Sequence, residues 1–476
     1  MSTIKPSLPA GVRDYLPPEM LFRASVLRRI TQVYEQFGFS PIETPAIERE
    51  EVLTGGKPPD MIIWRARTSG ANKDDESLAL HYDLTVPLSR VVAAYPDLPR
   101  PFRRYQCQKV WRGEKPQAGR YREFMQFDAD IVGSASLLAD TEIVWLMVSA
   151  MRAVGFERFK VRFSTRKVLN ALAGLIGIES GSPRARDLFR ILDKQDKIGR
   201  EGVAALLAKK FVADEERDAN DPDATESGLG LTDEQVRVVK TFMEIDGDAR
   251  SVISKLSELF IERSALGENA VNDLRTICDG LDNLGVSQDY WTVDVSVARG
   301  LAYYTGPVFE TTLTDCPEFG SVMSGGRYDD LVARFTGDSM PAVGASIGVD
   351  RLFAAMEKLG MVKGPKTATQ VLVTVMDQQL ISQCLETLQM LRSAGIPSEI
   401  YMGSNTALKA QMAYALNQGI PFLIFIGVEE SQNGIVTLKD TKNREQFPVP
   451  LEGLVEMIQI KQRLHLLQER YPAKGK

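Results

Sequence analysis

The chain has 476 residues, 44% hydrophobic and 25% charged, a globular composition, and at about 150 residues per domain its length implies roughly three domains. Lys and Arg number 57 against 63 Asp and Glu, a formal charge of −6, which excludes a basic nucleic-acid coat but leaves room for a local basic site. Only two histidines occur, His81 and His465, which argues against histidine-based catalysis and against a metal site of several imidazoles.

Between Met1 and Met20 there is no charged-then-apolar leader, and the longest apolar run, Ile420–Val428, is too short to span a bilayer. Cys107, Cys278, Cys316 and Cys384 have no short spacing between them, so free thiols and a cytoplasmic location are expected. Leu21, Val26, Ile30, Val33, Tyr34 and Phe37 recur at helical spacing before Gly38 and predict an amphipathic helix. Phe39–Ile47, FSPIETPAI, reads as a strand that Pro41 and Pro45 confine to a sheet edge or an interface, because proline donates no ladder hydrogen bond.

Strand patterns continue at Leu78–Thr85, Arg104–Arg112, Arg122–Val132 and Lys160–Ser164, with a helix over Ala139–Val154. They predict an antiparallel sheet with helices on one side. From Leu169 to Leu284 the pattern is almost wholly helical, interrupted by the acidic run Asp214–Glu226, which reads as a solvated loop. Strand patterns return at Trp291–Val297, Tyr303–Leu313, Ser321–Gly325 and Ala342–Ile347, so the helical block is inserted into a sheet domain. After a Gly/Lys/Pro/Thr linker the chain alternates strand and helix, Val371–Met376, Leu380–Leu391, Ser398–Met402, Thr406–Asn417 and Pro421–Gly427, a small α/β domain. The division is a core over 1–168 and 291–359, a mainly helical insertion over 169–290, the linker over 360–370, and the α/β domain over 371–476.

Chemistry concentrates in four segments. Arg100–Arg122 holds eight basic residues and one acidic one, a local +7, around the loop of VWRGEKPQAGRYREF. Such a hairpin suits a polyphosphate or a nucleic-acid end, and a charged edge strand kept from aggregating accounts for it equally. ARGLAYYTGPVFE, from Ala298, carries a lone arginine and the pair Tyr303 and Tyr304, of which strand alternation allows only one to line a given pocket. SGGRYDDL, from Ser324, reads as flexible backbone beside Arg327 and Tyr328. GASIGVDRL, Gly344–Leu352, is a strand of small residues running into a helix, where a flat ring can lie close to the backbone. No Walker or Rossmann glycine loop occurs, so a nucleotide site must be of another design.

Taken in this order the segments resemble the class II aminoacyl-tRNA synthetases, and most closely the histidyl-tRNA synthetase family, over nearly the whole chain. FGFSPIETPAIE is similar to the first class motif, whose proline, here Pro45, lies at a dimer interface. VWRGEKPQAGRYREF is similar to the second, which implies Arg112 on the α-phosphate, Glu114 near the adenine, Phe124 stacked on it, and Arg120 among the ATP-binding residues. GASIGVDRL is similar to the third, which implies Arg351 at the γ-phosphate. HYDLTVPLSR, MQFDADIVG and ARGLAYYTGPVFE resemble segments of the histidine enzymes. They imply Asp83, Thr85 and Gln126 at the α-amino group, Asp130 and Tyr304 at the imidazole with Tyr303 beside them, and Arg299 as a catalytic cation against the α-phosphate, where related synthetases place a metal ion.

The implied fold is α+β: a class II synthetase-like antiparallel sheet flanked by helices, a helical insertion, and a C-terminal α/β anticodon-binding domain. The implied activity is ligation of L-histidine to tRNA(His), with ATP as substrate alongside Mg2+, no resident metal site, no tightly bound prosthetic group, and a homodimer without membrane contact. The alternative is a catalytically silent, synthetase-like regulatory subunit of histidine biosynthesis; such relatives lack the terminal domain and have eroded arginines, whereas Arg112, Arg299 and Arg351 stand here. The sequence departs from the family pattern at Ala302 and His81, and at Asp83 and Asp130, where many relatives carry glutamate.

Overall fold

The computed structural model describes residues 4–56, 62–70, 76–116, 119–209, 228–297, 303–362 and 364–470. Arg299, Ala302 and the acidic run Asp214–Glu226 lie outside the described residues. The chain falls into two compact units, one of Met1–Arg13 and Val26–Met361, the other of Asp14–Ser25 and Val362–Lys476.

In the first unit the strands in chain order are β1 Ser40–Pro41, β2 Ile47–Arg49, β3 Trp64–Ala66, β4 Leu78–Leu80, β5 Phe102–Trp111, β6 Glu123–Val132, β7 Phe159–Thr165, β8 Trp291–Val293, β9 Pro307–Leu313, β10 Ser321–Arg327 and β11 Ala342–Gly348. Eight of them form one sheet in the order β1-β5-β6-β11-β10-β9-β7-β8, antiparallel throughout its middle and parallel only at β1 with β5 and β7 with β8. β2, β4 and β3 make a small antiparallel sheet. The strand expected over Phe39–Ile47 is thus two short pieces; β1, with Pro41, is the edge of the large sheet, where a missing donor costs no ladder bond.

The sheet has one apolar and one polar face. Along β6 the odd-numbered Phe127, Ala129 and Ile131 are buried in the core, and Tyr34 of the helix Pro17–Gln36 meets the Phe127 ring edge-on at 4.9 Å. The helix Leu137–Ala153 covers the same sheet with Ile143, Val144, Met147 and Met151; it starts at Ser136, whose hydroxyl accepts from Leu138 N at 3.3 Å. Between β7 and β8 the described chain is helical, Arg166–Leu175, Pro183–Leu192, Gln195–Ala208, Asp233–Met243, Ala249–Phe260 and Ala265–Asn283. Thr232 and Gln235 close a capping box at the head of the fourth of these helices.

The second unit carries β12 Val371–Val373, β13 Ser398–Ile400, β14 Phe422–Phe425, β15 Ile435–Asp440 and β16 Glu445–Pro450, in the order β13-β12-β14-β15-β16. Its first three strands are parallel, and the helix Ile381–Ser393 buries Cys384, Leu388 and Leu391 against Val371, Val373 and Ile424. Among the described residues no helix is long and apolar enough to cross a membrane.

Candidate active site

The polar face follows from alternation along β6, where Phe124, Gln126, Asp128 and Asp130 point one way. Register carries this row across the sheet: Asp128 opposes Gln106 on β5 and Ser346 on β11, Ser346 opposes Ser324, Ser324 opposes Glu310, and Glu310 opposes Arg162. Six neighbouring strands therefore present polar side chains in one line. A helix could not bury that line cheaply; Ser346, Ser324, Glu310 and Arg162 of it line a cavity of about 760 Å3.

The adjoining row is cleared by glycine. A Cβ on Gly344 would fall 1.9 Å from Asp130 Oδ1 and 2.7 Å from the Ala129 carbonyl oxygen, and one on Gly326 would fall 2.9 Å from the Tyr304 ring. The glycines of SGGRYDDL are thus part of a strand paired on both sides, and their use is clearance, not the flexibility expected of them. Gly344→Ala should cost about 1–3 kcal/mol of stability as Asp130 is displaced, read from the midpoint of urea unfolding.

One wall of the cavity is cationic. Arg112, Arg120 and Arg351 all line it. Arg112 Nε donates to the Tyr82 carbonyl at 3.1 Å, and its guanidinium stands 5.1 Å over the Phe124 ring. Arg351, in the first turn of the helix Val349–Lys358, donates to the Ser321 carbonyl at 2.6 Å. Burial, then the charges of Arg120 and Arg112, hold the Arg351 guanidinium below its ordinary value, with Glu310 opposing. Cations gathered in this way attract a polyanion strongly. Glu114 lines the same end and is exposed.

The cavity is lined as well by neutral and acidic groups, Asp83, Thr85, Gln126, Tyr303 and Tyr304. Asp83 precedes the helix Thr85–Ala94; its Oδ1 accepts from Val86 N at 3.1 Å and its Oδ2 from the Tyr303 hydroxyl at 3.4 Å. Burial raises its carboxyl above the usual range, against the Val86 N–H and Arg112. Gln126 Nε2 donates to Ser346 Oγ at 2.6 Å, which leaves Oε1 buried with no hydrogen-bond partner among the described residues. Both tyrosines line the cavity, with rings 5.0 Å apart and edge-on. The expectation that only one could do so assumed an extended strand, but β9 begins at Pro307, so alternation does not govern residues 303 and 304. Burial, then the carboxylates of Asp130 and Asp128, raises the Tyr304 phenol, which stays neutral and able to donate.

Asp130 does not line the cavity. It is buried under the floor, where the Tyr328 hydroxyl donates to Oδ1 at 2.6 Å and Arg104 Nη2 lies 2.7 Å from Oδ2. The +7 of the basic hairpin is likewise partly spent: Arg103 meets Glu142 at 2.5 Å, Arg104 meets Asp130, and Lys109 meets Glu123 at 2.6 Å. His81 is buried with Nε2 2.7 Å from the Lys109 carbonyl, and His465, in the second unit, sits 2.8 Å from Asp440 Oδ2 and stacks on Phe422. Neither histidine lines the cavity. Sequence reasoning passed over Asp128, Ser346, Ser324, Glu310 and Arg162; alternation within QFDAD already puts Asp128 on the face of Gln126, but the other four are joined only by cross-strand register.

The cavity is assembled from distant parts of the chain, and the tie between them is explicit: Met125 N donates to Asp350 Oδ2 at 2.7 Å. Comparison with known proteins points the same way over the whole length. The family described as Histidyl-tRNA synthetase matches residues 11–352, and the one described as Anticodon binding domain matches residues 370–461. A histidine–tRNA ligase of Cereibacter sphaeroides is 41% identical over 91% of this chain and 89% of its own, and that of Wolinella succinogenes 37% identical over 96% and 98%. The crystal structure of histidyl-tRNA synthetase from Nostoc sp. PCC 7120 superposes with a TM-score of 0.83 at 35% identity, covering 96% of this chain and all of that one. With both the sheet-borne cavity and the terminal unit matched, the chain belongs to the histidyl-tRNA synthetase family.

Proposed function

We propose that the chain is a histidine–tRNA ligase, which joins L-histidine to ATP and then to the 3′ end of tRNA(His). The observation that carries this reading is the mixed lining of one cavity, which holds Arg112, Arg120 and Arg351 together with carboxylate, amide and phenol groups. A carboxylate oxygen of histidine attacks the α-phosphorus of ATP, the bond to pyrophosphate breaks, and the terminal ribose hydroxyl of tRNA then displaces AMP from the carbonyl carbon. Arg112 bears on the α-phosphate, and the family resemblance gives Arg299, outside the described residues, the second cation for it. Arg351 and Arg120 hold the outer phosphates; Phe124 takes the adenine on its face and Glu114 its edge.

The α-ammonium of histidine goes to Asp83, Thr85 and the free acceptor of Gln126, while the ring goes to Tyr303, Tyr304 and the carboxylates beneath them. Each of these groups binds or orients, and no protein base is required, since the departing phosphate oxygen can take the ribose proton. Among the described residues no three His, Cys, Asp or Glu side chains cluster to hold a metal ion by themselves. A magnesium ion would therefore come in on the nucleotide's phosphates, with Glu310 as the carboxylate at hand, and would neutralise phosphate charge. The helical stretch 169–290 meets the acceptor arm, the α/β domain 371–476 meets the anticodon, and two chains form the working dimer. That domain's segment Thr367–Lys476 has ten basic and ten acidic residues, so it reads bases in a shaped pocket more than it attracts phosphate.

The test is histidine-dependent exchange of pyrophosphate into ATP by the purified chain. Exchange with histidine and none with threonine, proline or glycine is expected. No exchange under conditions where a control synthetase works would sink the reading and favour the silent regulatory subunit.

A further inference from the structure

Tyr303 and Tyr304 line the cavity without a strand to hold them. β9 begins at Pro307, and its register with β10 ends at Val308 opposite Gly326. The two residues between the rings and the strand therefore tie the pair to the frame. Gly306 accepts from Arg166 N at 2.9 Å and lets the Arg327 stem pass, since a Cβ there would fall 2.9 Å from Arg327 Cδ. Thr305 carries the next ties. Its N donates to the Arg327 carbonyl at 2.8 Å, its hydroxyl donates to Asp329 Oδ2 at 2.7 Å, and the same hydroxyl accepts from Asp329 N at 3.2 Å.

Asp329 is itself fixed. Its carbonyl accepts from Met340 N at 2.9 Å and from Ser339 Oγ at 3.0 Å, just ahead of β11. Its Oδ1 lies 3.6 Å from Arg327 Nη1, and that guanidinium is anchored in turn on the buried Asp140. At the other end the Tyr304 ring rests on bare backbone, where a Cβ on Gly326 would fall 2.9 Å from it. A shift of Thr305 along Arg327 would lift that ring off Gly326. It would also turn Tyr303 away from Asp83, whose Oδ2 the Tyr303 hydroxyl reaches at 3.4 Å. Neither Thr305 nor Asp329 lines the cavity, so what they do to a ligand passes through the tyrosines.

We infer that Thr305 and Asp329 are positioning residues: the hydrogen bond between them holds Tyr303 and Tyr304 at the angle where their phenols meet the substrate's imidazole. The inference rests on the histidine-activating reading above. A phenol discriminates by direction, because a hydrogen bond weakens steeply once its angle falls below about 120°. A hydroxyl bound to a carboxylate fixes that direction before the substrate arrives, so binding does not have to order the rings. Thr305 uses both capacities of its hydroxyl, donor and acceptor; a valine of the same outline has neither.

The experiment is pyrophosphate exchange by the full chain, with histidine and ATP varied in turn, for the wild type, Thr305→Val, Thr305→Ser, Asp329→Ala and the double variant Thr305→Val with Asp329→Ala. Thr305→Val should raise the KM for histidine about 10–100-fold and leave the KM for ATP unchanged, because the cavity's arginines are untouched. Thr305→Ser keeps a hydroxyl and should restore the wild-type value. Asp329→Ala should match Thr305→Val, and the double variant should be no worse than either, as expected of two residues that act through one bond. An unchanged histidine KM in Thr305→Val would overturn the inference, and so would additive losses in the double variant. A loss shared equally by histidine and ATP, with a lower urea midpoint, marks a merely structural role and overturns it too. If Asp329→Ala does not fold, Thr305→Val against Thr305→Ser decides alone. A wild type without histidine-dependent exchange fails the functional reading and this inference with it, whereas an active wild type with insensitive variants fails the inference only.

Discussion

Replacing Arg112 by alanine is expected to lower the rate of adenylate formation by about 10²–10³-fold while the fold survives. Arg112 is half-buried at the cationic wall, held by one carbonyl at 3.1 Å and by the face of Phe124, and neither contact is part of the core. In the proposed reaction Arg112 is the cation that meets the charge developing on the α-phosphate. Arg112 acts against the charge of Arg351, so its removal relieves Arg351 and should not unfold the protein. Lysine at position 112 should recover little, because a point charge on a flexible stem lacks the planar fork that meets two phosphate oxygens at once. Single-turnover formation of the adenylate, with histidine affinity measured separately, separates a lost transition-state contact from lost binding. A variant with near-normal turnover would remove Arg112 from the chemistry.

The largest stability effect is expected at Arg327. Its guanidinium forks onto Asp140, with Nε 3.1 Å from Oδ1 and Nη2 on Oδ2, and also donates to the carbonyls of Ser134 at 2.9 Å and Ser136 at 3.2 Å. Both side chains are buried, Asp140 completely. Arg327→Ala leaves the buried Asp140 carboxylate without its cation and takes a side-chain donor from the Ser134 and Ser136 carbonyls, so it should cost about 3–5 kcal/mol. Adding Asp140→Asn should return part of that loss, since the uncompensated charge, more than the missing contact, dominates it. Urea unfolding of the two variants checks both statements, and a single variant within about 1 kcal/mol of wild type would contradict them.

These two arginines mark how far the sequence could be read. Motif segments placed Arg112, Phe124, Gln126 and Arg351 at a common cavity because their spacing survives in one dimension. Arg327 was legible only as a residue beside a glycine pair, since its partner lies 187 positions away. Secondary structure was legible where periodicity was clean: β6, expected over Arg122–Val132, spans Glu123–Val132, and the helix expected over Ala139–Val154 spans Leu137–Ala153. It was misread where local chemistry outweighs period, as at Leu78–Thr85, where the strand stops at Leu80 and a helix begins at Thr85. Counting charge along Arg100–Arg122 overstated the positive field, because Glu142 and Asp130 reach that hairpin through the fold and not through sequence.

The bond between Met125 and Asp350 spans 225 residues, and this separation sets a schedule for making the protein. At roughly 5–20 residues per second, the ribosome finishes β11 on the order of 10–45 s after β6 has emerged. Through that interval β6 has β5 on one side and an open row of N–H and C=O groups on the other, with its polar row still lacking Ser346. Such an edge is a template for any other extended chain nearby, so each nascent molecule spends tens of seconds open to mispairing before its own strand arrives to occupy the place.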